Sequence, residues 1–374
     1  MAIGRRTVDL TDERRPDPFA RDGSARRIPL SIYYPAEVRK PEACAEGIGS
    51  LHEPCAGQAL AWFRQAGADE ACLCERQIGV YPDAPPAAAP AGMDASPMNR
   101  TDTGIEAHGP TRLPVVLYAP GFGLGRDMYW FQVEALVRSG MIVAAAGSVY
   151  ESVFTVLADG GFVKQKEELG RLESLDLPAW LALLATRVAD LYCVLNALEA
   201  ENGPDGLLAG RADLGRIGAV GHSLGGAAVY RLASGDSRLR TGVLHDPSLH
   251  LFDRTVPPAA APLLLLRQEA SSLKRLEAAG MNPELARAYI AGQRYAAAAQ
   301  TELVRVGGTH HMSFSDIPLL HGEAGAEAAQ AAIAGLTAAY LRERLAGHAG
   351  AYSAALHRPF AARYRRVDGE GNEE

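Results

Sequence analysis

One run of the sequence has the residue types and order needed for covalent chemistry: Gly221-His222-Ser223-Leu224-Gly225-Gly226. It follows a short apolar stretch at 216–220 and precedes a helix-forming run from 226 onward. That context predicts a sharp strand-to-helix turn with a serine at its tip. Glycines suit the flanking positions, because a side chain there would collide with the strand or the helix. A serine held this way exposes its hydroxyl for attack on a carbonyl carbon. The hydroxyl is a poor nucleophile unless a base takes its proton and a carboxylate orients that base. The plainer alternative is a glycine-rich turn with a chance serine, and the strand and helix on either side weigh against it.

The partners are sought further along the chain, each in a loop just after a strand, in the order serine, acid, histidine. Asp246 ends the apolar run 241–245 and Pro247 stops the strand there; Asp253 and Glu269 stand in reserve. As a turn former before proline, Asp246 also has a purely structural reading. For the base, Gly307-Gly-Thr-His310-His311-Met follows the apolar run 303–306. Two adjacent side chains point in different directions, so only one of His310 and His311 can reach Ser223. His222 lies beside the nucleophile and is expected to pack. The remaining histidines (His52, His108, His245, His250, His321, His348 and His357) lack a strand-end context and read as surface or core residues. A developing oxyanion needs backbone donors. The N–H of Leu224 is one candidate, and the N–H of Phe122, in Ala119-Pro-Gly-Phe122-Gly-Leu-Gly125, is the other. Removing one such donor costs about 2.7–4 kcal/mol of transition-state stabilisation. The same glycine-rich loop has neither the G-x-G-x-x-G spacing nor the Lys-Ser/Thr ending of a phosphate cradle.

These residues need a scaffold, and the apolar pattern supplies one. Strands are predicted at 5–12 and 27–34, then at 113–118, 141–146, 217–220, 241–245, 263–266 and 303–306. Helices are predicted at 127–139, at 180–199 and at 324–345. The second carries a stripe of Leu181, Leu184, Val188, Leu191, Leu195 and Leu198. Alternating strands and helices over about 200 residues imply an α/β fold, with a mostly parallel sheet and helices on both faces. The whole chain, 1–374, reads as one such domain. The segment 38–111, rich in Cys, Pro and Ala, reads as an insertion or flap with one short helix at 59–65. Residues 271–300 are a possible helical cap element, and 350–374 a frayed tail.

Bulk properties narrow the partners. The net charge is −7 and the basic residues are scattered, which speaks against nucleic acid. No run of about 18–20 apolar residues stands out as an integral membrane segment, and the first residues lack the apolar core of a signal peptide. The expected location is therefore cytoplasmic. The alternative is an exported mature chain with disulfides among Cys44, Cys55, Cys72 and Cys74. Cys193 falls on the apolar side of a predicted helix and is expected to be a buried thiol. Cys72-Leu-Cys74 is too tight for a usual zinc knuckle, and neither a metal nor an organic cofactor is implied.

With these residues in place, the chain resembles the type II (plasma) platelet-activating-factor acetylhydrolase family and its bacterial esterase relatives. The resemblance runs through Val8-Asp-Leu-Thr-Asp, Pro16-Asp-Pro-Phe19, Leu30-Ser-Ile-Tyr-Tyr-Pro-Ala36, Pro120-Gly-Phe-Gly123, Tyr150-Glu151 and the Ser223 turn. It ends in His311-Met-Ser-Phe314-Ser-Asp316, where the family has a histidine, a phenylalanine three residues on and an aspartate five residues on; that spacing selects His311. It implies an α/β-hydrolase fold and a serine esterase using Ser223, Asp246 and His311, acting on a small-molecule or lipid-like ester. The alternatives are an acyltransferase with the same three residues, or an inactive hydrolase-fold binding protein. Two departures concern specificity. His245 stands where the family has leucine before its acid, and Ser248 where animal members place a tryptophan in the acyl pocket.

Overall fold

The computed structural model describes residues 1–38, 47–87, 112–357, 360 and 363–374. Two long antiparallel strands open it, β1 (Ala2–Pro16) and β2 (Ala25–Ala36). Between them and the regular part lie α1 (Ala56–Gln65), α2 (Glu70–Cys74) and β3 (Val80–Pro82), the last paired with β1. Then follow β4 (Leu113–Ala119), α3 (Trp130–Arg138), β5 (Ile142–Ala146), the small hairpin β6 (Phe154–Val156) and β7 (Phe162–Lys164), α4 (Glu167–Gly170) and α5 (Leu177–Glu201). The second half brings β8 (Ala212–His222), α6 (Leu224–Gly235), β9 (Leu239–His245), β10 (Leu263–Arg267), α7 (Leu273–Ala278), α8 (Pro283–Ala297) and β11 (Thr301–Val306). The last elements are α9 (Ile317–Leu320), α10 (Ala326–Ala346), α11 (Ala351–His357) and β12 (Tyr364–Arg366).

Ten described strands form one sheet in the order β12-β11-β10-β9-β8-β4-β5-β2-β1-β3. The six central strands, β11 to β5 in that order, are mutually parallel. Their near-continuous apolar sequences fit burial on both faces, and every residue of β4, β5 and β10 is buried. One core lies between the sheet and α5, α6 and α8; the other lies between the sheet and α3 and α10. The chain builds outward from β4 to β5, then returns to place β8 on the other side of β4 and continues through β9 to β11. The order therefore reverses between β4 and β8, which opens a crevice beyond their carboxyl ends.

Several expectations need correction. On α5 the buried face is Leu183, Leu184, Arg187, Asp190, Leu191, Val194, Leu195 and Leu198, whereas Leu181 is 44% exposed. Two charges on that face hide it from a hydrophobic count, and each is paired: Arg187 with Glu151, and Asp190 with Arg26 and Arg15. Contrary to the reading that nothing is long enough to span a membrane, α5 has the length and apolarity to do so, although here it covers the sheet. The terminal region is not simply frayed, because β12 pairs antiparallel with β11 and gives Tyr364 a buried place. The pieces at 271–300 are α7 and α8, and α8 buries Ala286, Tyr289 and Ile290 in the core shared with α5 and α6. Cys55, Cys72 and Cys74 are free thiols, so no disulfide joins any two of them, and Cys44 lies outside the described residues. Cys193 is also free, and only partly buried. Of the 38–111 segment, the described part carries α1, α2 and β3, with Phe63 and Leu73 buried; 39–46 and 88–111 lie outside the description.

Candidate active site

Ser223 stands between the last residue of β8 and the first of α6, with φ 53° and ψ −119°. A non-glycine residue in that region is strained by about 1–3 kcal/mol, and packing around the turn holds it there. The glycines on either side have no room for a side chain. A Cβ on Gly221 would lie 2.3 Å from the Gly225 carbonyl oxygen, and one on Gly225 2.2 Å from that of Ala119. Backbone bonds stitch the turn to the next loop: the Ser223 N–H donates to the His245 carbonyl at 3.0 Å, and the Ser248 N–H to the Ser223 carbonyl at 2.9 Å.

Asp246 follows β9 and is fully buried, also at positive φ (38°). The structure brings Ser223, Asp246 and His311 together. His311 Nδ1 lies 2.6 Å from Asp246 Oδ2, and His311 Nε2 lies 3.0 Å from Ser223 Oγ. Burial by itself would raise the Asp246 pKa, but the Arg267 guanidinium and His311 outweigh it and hold it down to about 2. A carboxylate that stays ionised can only accept. The Nδ1 of His311 therefore carries the proton toward Asp246, and Nε2 is left to accept the Ser223 hydroxyl. Such an arrangement can withdraw the serine proton as the oxygen attacks a carbonyl, and return it to a leaving group.

The competing candidates lie elsewhere. His310 turns away to pair with Glu323 at 2.9 Å; Asp253 pairs with Arg231 at 3.0 Å on the surface; Glu269 contacts Arg275 and the Gly308 N–H. Leu224 opens α6, so its N–H has no partner within the helix. Phe122 lies on the loop after β4, and its ring meets Trp180 edge-on with centroids 4.9 Å apart.

One neighbour of these residues was missed, and a second was noted only for specificity. Arg267, fully buried, donates to Asp246 Oδ1 at 2.5 Å. Its signal in the sequence was an arginine closing the apolar run Leu263-Leu-Leu-Leu266, a place where a charge must find a buried partner. Ser248, marked in the sequence only as standing where animal members of the resembled family place a tryptophan, puts its Oγ 3.5 Å from Ser223 Oγ.

A strand order that reverses beside a strained serine turn, with glycine-rich loop and histidine loop converging on it, defines the α/β-hydrolase class. The chain has the fold of that class. Residues 206–331 match the model of the family described as platelet-activating factor acetylhydrolase, isoform II, in agreement with the resemblance read from the motifs. That stretch contains Ser223, Asp246 and His311. Among solved structures, a ferulic acid esterase from Streptomyces cinnamoneus superposes with a TM-score of 0.71 at 23% identity, over 98% of this chain and 96% of that one. At that identity the likeness bears on the fold. Comparison with curated proteins returns no match.

Proposed function

We propose that this protein hydrolyses carboxylic esters through an acyl-enzyme on Ser223. The observation that carries the reading is the pair of contacts made by His311: 3.0 Å to Ser223 Oγ through one nitrogen, 2.6 Å to Asp246 through the other. Ser223 attacks the ester carbonyl while His311 Nε2 takes its proton. The oxyanion that forms is met by the N–H groups of Leu224 and Phe122. His311, now charged and held by Asp246, delivers the proton to the leaving alcohol. Water then enters, gives a proton to His311, and releases the acid from Ser223. Asp246, ionised throughout the neutral range, favours the imidazolium in both halves of the reaction.

A p-nitrophenyl ester tests this directly. The parent protein should release a burst of nitrophenol stoichiometric with enzyme and then turn over, and a fluorophosphonate should phosphonylate Ser223 with loss of fluoride. Ser223→Ala should lose both behaviours, with turnover down by roughly 10⁴-fold or more. Retention of more than a few per cent of the parent's activity in that variant would remove Ser223 from the mechanism. A series of acyl lengths, with a phospholipid, a feruloyl ester and a polyester included, then defines the ester class.

A further inference from the structure

His222 precedes the nucleophile and is 1% exposed, yet both of its ring nitrogens are engaged. Nε2 lies 3.0 Å from the backbone carbonyl oxygen of His311, and Nδ1 lies 3.0 Å from the hydroxyl of Tyr129. A carbonyl oxygen only accepts, so the ring proton sits on Nε2. Burial, reinforced by His311, pushes the His222 pKa well below its ordinary value, so the ring carries one proton and Nδ1 is an acceptor. Tyr129, fully buried, must then donate to Nδ1, while its oxygen accepts the Gly121 N–H at 2.7 Å. The bonds run in one direction: Gly121 N–H to Tyr129, Tyr129 O–H to His222, His222 N–H to the His311 carbonyl.

This chain joins three loops that come from distant parts of the sequence. Gly121 belongs to the loop after β4 and shares a peptide bond with Phe122, the second oxyanion donor. It sits so close that a Cβ there would lie 2.9 Å from His222 Nδ1 and 3.3 Å from Ser223 Cβ. His222 belongs to the serine turn, and His311 to the loop after β11. The far side is anchored too. Asp316 accepts from the Trp130 N–H at 2.5 Å and the Phe131 N–H at 3.4 Å, and donates its own N–H to the Met128 carbonyl at 2.9 Å. Tyr129 thus stands on a helix start that the His311 loop itself holds. The Phe314 ring stacks on the His222 ring with centroids 6.0 Å apart.

We propose that Tyr129 and His222 are positioning residues, which set the Phe122 donor and the His311 ring in register with Ser223. Neither touches the reacting atoms. Their effect comes through geometry, since a displacement of about 1 Å at a donor or a base costs on the order of 10²-fold in rate. The inference rests on the esterase reading above.

Tyr129→Phe removes one hydroxyl and leaves the Gly121 N–H and His222 Nδ1 without partners. The expected result is a drop in kcat of about tenfold or more with KM changed less than twofold, because the contact matters as the oxyanion forms. Affinity for a trifluoromethyl ketone, whose adduct carries an oxyanion, should fall by the same factor as kcat. A kcat within fivefold of the parent, or a loss carried mainly by KM, overturns the proposal. ¹⁵N-histidine NMR of the unmodified protein decides independently, whether or not the variant folds. His222 should show a proton on Nε2, a bare Nδ1 and no titration between pH 5 and 8. A proton on Nδ1, or a titration in that window, overturns it. If the parent shows no ester turnover, the esterase reading fails while the NMR result still tells whether this chain of bonds exists.

Discussion

Asp246 divides its two carboxylate oxygens between different partners, and the division separates its effect on folding from its effect on turnover. One oxygen meets His311 and the other meets Arg267, whose side chain is as fully buried as the carboxylate. Asp246→Asn therefore does two things. It presents an amide to His311, which can hold the imidazole in the wrong tautomer, at a cost near 10⁴-fold in kcat. It also strands a guanidinium charge in the interior, which costs about 3–5 kcal/mol and should lower Tm by several degrees. The double variant Asp246→Asn with Arg267→Met removes the stranded charge. It is expected to regain most of the lost Tm and none of the lost turnover, measured on one preparation. If turnover returns with stability, Asp246 is a structural turn residue and no more. Sequence reasoning could reach Asp246, because a strand end before Pro247 is a recognisable position. It could not foresee Arg267, since a single charge closing an apolar run does not reveal which neighbouring strand will satisfy it.

The elements were legible where burial on both faces makes a strand uniformly apolar, as in β4, β5 and β10. They were legible too where glycine and proline punctuate the chain, as at the Ser223 turn. They were obscured where polar groups satisfy one another inside. The buried face of α5 includes Arg187 and Asp190, which a hydrophobic stripe excludes and only the charges of Glu151, Arg26 and Arg15 explain. The strands β3 and β12 escaped because three residues at a sheet edge have no pattern of their own. The His311 loop is a middle case, in which the spacing to Phe314 and Asp316 was visible while its reason was not. That reason is a helix cap supplied from a distance. α3 has no capping side chain at its own N-terminus, and Asp316 fills the place by accepting from Trp130 and Phe131. Asp316→Ala should cost about 1–2 kcal/mol of stability through the lost cap. Turnover should fall as well, because α3 and the His311 loop come apart at that joint. Asp316→Asn keeps an acceptor oxygen and should recover most of both. Equal damage from the two substitutions would mean that the negative charge, and not the cap bond, is what matters.

At the scale of the whole molecule, the response to acid follows from how many histidines the fold buries uncharged. Among the described residues, His52, His222 and His245 are buried and His250 is partly buried, and burial chiefly depresses the pKa of all four: His52 to about 4, His245 to about 3, His250 to about 4, and His222 well below its ordinary value. In the unfolded chain each would titrate near 6.5. Above that pH both states carry them neutral, and they leave stability independent of pH. As pH falls below about 6.5 the unfolded chain takes up four protons that the native structure refuses. Each refused proton lowers stability by about 1.4 kcal/mol per pH unit, so the four together approach roughly 5 kcal/mol per unit, until His52 and His250 begin to take up protons in the native state near pH 4. Asp246 adds a later loss. Its native pKa lies near 2 against an ordinary 3.8, so its contribution is intact above about pH 4 and disappears as pH falls toward 2. A domain whose net stability is about 5–15 kcal/mol should therefore unfold between pH 5 and 4, well above the range where carboxylates alone would unfold it. Thermal melts at half-unit steps from pH 7.5 to 4.5 should show a plateau and then a steep fall beginning near pH 6. His245→Asn, which removes one of the four, should flatten that fall by about a quarter whatever it does to Tm at pH 7.5, because the slope counts protons and not contacts. An unchanged slope in that variant, or a parent Tm that stays level down to pH 5, would mean that these rings find protons and partners in the native state.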